Sequence, residues 1–182
     1  MSNFFMKTMS MVVVGKATSA AKAFVTGALT NSIARWLGLE DSLVAKVLMV
    51  GIPTMMMIAS DDPVIAGNLF NRSKEDEKKR FDGEGRRLED RNRKEQEEAE
   101  SEFFDVFGEK GHAMNKVIAE ATGATETEVD GIMSVFLPEF ERAIAEEDVE
   151  DAGALQRLFA DEVAEIKEKA PRWVKMLTKA IL

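Results

Sequence analysis

The sequence predicts an all-α protein: a multihelical bundle with an internal duplication of a helix, glycine turn, helix unit. Three observations predict it. Apolar residues return at three- and four-residue spacing through most of the chain, as one buried helix face requires. Ile33, Ala34, Gly38, Val44, Val50 and Pro53 recur 85 residues later as Ile118, Ala119, Gly123, Val129, Val135 and Pro138. Helix-start signals stand where such units need them: Asp61, Asp62 and Pro63 in the first half, Thr125 with Glu128 in the second.

The positions between the six identities match in kind. Val47 pairs with Ile132, Leu48 with Met133, Ile52 with Leu137 and Asp41 with Glu126. In both copies a short apolar helix reaches a glycine, which adopts the left-handed conformation that closes a helix at no steric cost. An acidic or hydroxyl-rich turn follows, then a second apolar helix that proline bends or ends. The expectation is that Ile33 to Ala59 and Ile118 to Ala145 share one conformation, with Gly38 and Gly123 in equivalent places. These two segments resemble the YidB-like bacterial domain of unknown function, a helical module with repeated segments. The chain lacks the glycine-rich stretch of that family and carries a charged insert instead. The resemblance implies a fold and no chemistry.

Taken in order, residues 1–29 place Val14, Ala17, Ala21, Phe24 or Val25, and Ala28 at helical spacing. Their small residues, Ala17 to Gly27, suit close helix packing. No strongly basic stretch precedes the apolar run, so a terminal helix is expected rather than a cleaved signal peptide, with membrane-surface contact as its alternative. Residues 42–60 carry a single charge, Lys46, and the run from Ile52 to Ile58 is apolar on every side. Its length only just reaches what a membrane span needs. The repeat partner, however, holds Glu128, Asp130, Glu139, Glu141 and Arg142, and a helix so charged belongs in water. The first copy is therefore expected as the central helix of a bundle or as a subunit contact. The alternative is membrane attachment or insertion through residues 10–60.

Asp62 followed by Pro63 reads as an N-cap with proline at the first helical position, and a short apolar helix from Val64 to Phe70 follows. Residues 72–102 hold ten basic and twelve acidic side chains among thirty-one. Phe81 and Leu88 are too few for a core, and Gly83 and Gly85 interrupt any helix. A solvated connector is expected, helical from about Arg86 onward and cut first by protease between Asn71 and Arg86. The composition thus divides the chain into an apolar helical half at 1–71, a charged connector at 72–102 and an acidic helical half at 103–182.

The second half begins with Phe103, Phe107, Met114, Ile118 and Ala121 on one face, although Gly108 and Gly111 threaten to split that helix. Glu146, Glu147, Asp148, Glu150 and Asp151 lack the spacing and central glycine of a calcium loop, so Asp148 or Asp151 is expected to cap the next helix. Leu155, Phe159, Val163, Ile166 and Ala170 mark that helix, and Pro171 ends it. Trp173, Met176 or Leu177, and Ala180 or Ile181 form a last apolar stripe.

Composition narrows function without specifying it. The net charge is -9, and the last eighty residues contribute -8 of it, which repels a phosphate backbone; no nucleic-acid partner is expected. There is no cysteine, and His112 is the single histidine, too little for a zinc site or a nucleophile with its base. No cofactor or metal is expected. The sequence reads as a non-catalytic protein-protein interaction or assembly module, cytoplasmic, with membrane association as the alternative. A further alternative is an enzyme whose carboxylate site is assembled only in the fold. The expected interaction surface is Val50, Ile52, Met55, Met56 and Ile58 of the uncharged helix, with Phe24, Trp173 and Leu177. It would serve a homo-oligomer or a helical partner, because a soluble chain seldom leaves so large an apolar surface uncovered.

Overall fold

A computed structural model describes residues 20–81 and 93–169, with side chains over 29–75 and 102–164. Six helices make up its regular structure: α1 (Ala20–Leu37), α2 (Asp41–Asp61), α3 (Pro63–Phe81), α4 (Arg93–Thr122), α5 (Glu126–Ala145) and α6 (Ala152–Lys169). Their ends follow from local chemistry. Gly38 (φ 69°) and Gly123 (φ 79°) take the left-handed conformation immediately after the repeated "IA" helices. Thr125 and Glu128 form the reciprocal capping box: the Thr125 hydroxyl accepts from the Glu128 amide, and the Glu128 carboxylate accepts from the Thr125 amide at 2.7 Å. Asp62 Oδ1 accepts from the amides of Val64 and Ile65, and Asp151 Oδ1 accepts from Ala154. Both third helices of the two halves thus start on an aspartate.

Neither Pro53 nor Pro138 ends its helix. Each lies inside its helix, α2 or α5, which continues to Asp61 or Ala145. Next to the missing donor in α2, Thr54 Oγ1 donates to the carbonyl of Val50 at 2.7 Å. Gly108 does break α4, with φ 55° and ψ -141°, whereas Gly111 stays helical, and three phenylalanines leave little room for a side chain there. A Cβ there would lie 3.1 to 3.3 Å from Phe103, Phe104 and Phe107.

Helix α2 packs against every other described helix, and each residue from Val50 to Ala59 is buried. That position explains why it is apolar all round. The packing has an approximate two-fold pattern. Contact of α2 with α6 is answered by α5 with α3, α2 with α4 by α5 with α1, and α1 with α2 by α4 with α5. The third helices also correspond: Ile65, Leu69 and Ser73 are buried on α3, and Leu155, Phe159 and Val163 on α6, at a constant offset of 90 residues.

Both halves feed one hydrophobic core. The compositional boundary at 71/72 falls inside α3, and that at 102/103 inside α4. A change in charge along a helix alters its surface and leaves its backbone intact. Ser73, placed in the connector by composition, is fully buried and donates to the carbonyl of Phe70. Residues 71–81, the larger part of the interval expected to be cut first, belong to α3, whereas residues 82–92, with the rest of that interval and the start of the helix expected from Arg86, lie outside the described residues.

Candidate functional site

The cross-half interfaces concentrate the polar chemistry. Arg72, near the middle of α3, donates from Nε to Glu141 of α5 at 2.5 Å and from Nη2 to Glu102 of α4 at 2.9 Å. The Glu141 side chain is 5% exposed and that of Arg72 29%. Burial works against the guanidinium charge, but the two carboxylates outweigh it and hold Arg72 above its ordinary value. This bridge spans 69 residues of sequence, and nothing local to either partner announces it. Asn68, one turn earlier on α3, donates to the carbonyl of Val106 at 3.3 Å, two residues before the break at Gly108.

A second link joins the start of α3 to the same break. Lys110 Nζ lies 2.9 Å from Asp62 Oδ2. That hydrogen bond is the main reason the Asp62 carboxyl sits below the usual carboxylate range; partial burial opposes it, and the bonds from Ile65 and Val64 assist. The Glu128 carboxyl is lowered as well, chiefly by its bond from the Thr125 amide.

Between α4 and α5, Asn115 donates to Asp130 at 2.6 Å, while Asn115 Oδ1 and Ser134 Oγ are buried without hydrogen-bond partners. Helix α2 approaches both of these helices closely: a Cβ on Gly51 would stand 2.5 Å from Met133 Sδ of α5 and 3.6 Å from Ile118 Cδ1 of α4. Helix α6 lies against α2 and α3. Gln156 Nε2 reaches the carbonyl of Ser60 at 3.4 Å, and Phe159 stacks on Phe140 of α5 with ring centroids 5.8 Å apart.

The expected interaction surface divides under this geometry. Val50, Ile52, Met55, Met56 and Ile58 are at most 6% exposed, all inside the core of a single chain. The covering that a partner was expected to supply comes from the chain's own α1, α3, α4, α5 and α6, so these five are core residues and not an open surface. Sequence could not choose between the two covers, because an apolar helix reads alike under either. Phe24, Trp173 and Leu177 have side chains outside the described residues. Among the described residues, Val64 is the one large apolar side chain that is strongly exposed.

The other sequence candidates are placed as follows. His112 is exposed and stacked on Phe104, centroids 4.0 Å apart. Of the acidic run, Asp151 caps α6 and Glu147 is buried, with Glu146, Asp148 and Glu150 mostly facing solvent. No group of three or more histidine or carboxylate side chains among the described residues is arranged to hold a metal ion. Helix α2 alone among the described helices is long and apolar enough to cross a membrane, and most of it is buried inside the bundle.

Comparison with known protein families, with characterised proteins and with solved structures finds no match. The resemblance to YidB-like domains rests on the residues quoted for it and on nothing further.

Proposed function

We propose that the chain is a non-catalytic helical assembly module, derived by duplication of a three-helix unit, and that it self-associates. The observation that carries this reading is the reciprocal packing of the halves. The last helix of each, α3 or α6, lies against the central helix of the other, α5 or α2. One chain is thereby organised as an assembly of two similar units, and its strongest recognition surfaces are grooves that receive a helix. The polar groups at these interfaces position helices, as Arg72 does with Glu141 and Glu102. Sedimentation of the full chain from low to high micromolar concentration tests the proposal. A sedimentation coefficient that rises with concentration is expected. A monomer at every concentration rejects self-association.

A second reading has its own observation. Residues 1–39 contain four basic side chains and no acidic one, and residues 170–182 contain three and none. All thirty-three acidic residues lie between, in a stretch of net charge -16. Apolar stretches that carry only positive charge suit an anionic membrane surface. Flotation of the full chain with neutral and with anionic vesicles tests this reading, and equal failure to float with both removes it.

A further inference from the structure

Helix α6 is an unusual member of its own half. Its chief packing neighbours are α2 and α3, both from the first half, and Phe159 also stacks on Phe140 of α5. It buries Leu155, Phe159 and Val163, so the groove that receives it is specific and apolar. The loop that connects it to α5 is the six-residue stretch 146–151, and five of those six residues are carboxylates. Glu147 is buried and Asp151 caps α6, but Glu146, Asp148 and Glu150 are exposed, and like charges at such spacing repel one another and favour an extended loop over a compact one. A groove contributed by one part of a chain, filled by an arm from another part through a short self-repelling loop, is the arrangement from which helices exchange between copies.

We propose that α6 is an exchangeable arm: two copies of this chain associate by each placing Ala152–Lys169 in the α2–α3 groove of the other. The inference rests on the self-association reading and names its mechanism. Every contact of α6 in the single chain, including Gln156 with Ser60 and Phe159 with Phe140, is then remade between chains with the same geometry. The single chain and the exchanged dimer differ in the loop and in the entropy of association. Protein concentration and loop charge therefore set the balance between them.

The absence of native cysteine makes the test direct. One full-length chain carries Ser60→Cys and a mass label, and another carries Gln156→Cys. The two are unfolded together, refolded at high concentration, and the dimer fraction is treated with a short bis-maleimide. The single chain with both substitutions serves as a reference, because its monomer must cross-link internally if the substituted protein folds as described. Exchange predicts a cross-linked product of the combined mass, containing one labelled and one unlabelled chain. Dimers that yield no such product overturn exchange and leave self-association through another surface. A mixture that stays monomeric throughout overturns both. Neutralising the exposed loop charges with Glu146→Gln, Asp148→Asn and Glu150→Gln, which touches no core residue, should lower the dimer fraction several-fold. An unchanged or larger fraction contradicts the role given to the loop.

Discussion

Gly38, Gly123 and Gly51 show two different reasons for a residue without a side chain. At Gly38 and Gly123 nothing lies within 4 Å of a Cβ, so only the positive φ resists substitution. Alanine at either position should cost about 1 kcal/mol of stability, measured by urea unfolding. Gly51 has an ordinary helical backbone, but Met133 occupies the place of its Cβ. The crowding atoms are the end of a flexible methionine and alanine favours a helix, so Gly51→Ala should cost no more than about 1 kcal/mol, and the loss should vanish when Met133→Ala is already present. The left-handed glycines are legible in sequence because each ends an apolar helix and is repeated. The reason for Gly51 sits 82 residues away and is legible only in three dimensions. Asp62 provides a pH test at the same scale. Its folded pKa is lowered, so its contribution is present above the unfolded carboxylate value and is lost as pH falls through the lowered folded value. Asp62→Asn keeps a capping oxygen and removes the charge that faces Lys110. The native chain should be more stable than this variant at neutral pH, and the difference should vanish in strong acid.

Among the elements, α3 departs furthest from its sequence reading. Composition ends its apolar part at Phe70, yet the helix runs to Phe81, and just past Phe70 it is held by the pairing of Arg72 and by the burial of Ser73. Arg72→Met keeps most of the packing and withdraws the charge that faces Glu141. It should cost about 3 kcal/mol, much of it recovered by adding Glu141→Gln, as a double-mutant cycle by denaturation would show. Such a bridge is invisible in sequence because charged residues abound around both partners and only the fold selects the pair. The start of α6 is the opposite case. An aspartate three residues before Ala154 announces a cap, and the structure uses Asp151 for it. Asp151→Ala should cost about 1 kcal/mol.

At the scale of the molecule, the sequence reading of an all-α bundle with matching halves corresponds to the observed helices and their two-fold contact pattern. Its compositional boundaries at 71/72 and 102/103, however, fall inside α3 and α4, and the two halves share one core. Hydrophobic periodicity assigns residues to a buried face and is silent about which helix covers that face. The covering helix here comes mostly from the other half. Equilibrium unfolding should accordingly be one transition, identical by circular dichroism and by tryptophan fluorescence. Phe140→Ala, which opens a cavity beside Phe136 and Phe159, should cost about 3 to 5 kcal/mol. Hydrogen exchange should show α3 losing protection together with α5 and α6, although α3 belongs to the other half. Two separate transitions, or loss of protection confined to α5 and α6, would contradict a shared core.

The break at Gly108 has a consequence for how this chain can change its length. In an unbroken helix, inserting or deleting one residue rotates everything beyond it by about 100°, so a buried face turns outward. A left-handed residue between two helical segments absorbs such a rotation, because the backbone there is not bound to the helical phase of either side. Phe103, Val106 and Phe107 before the break, and Met114 and Ile118 after it, are therefore each turned to the core by their own packing and not by one shared helical phase. An insertion within 103–107 should accordingly cost more stability than one at Gly108, where the positive φ already interrupts the helical phase.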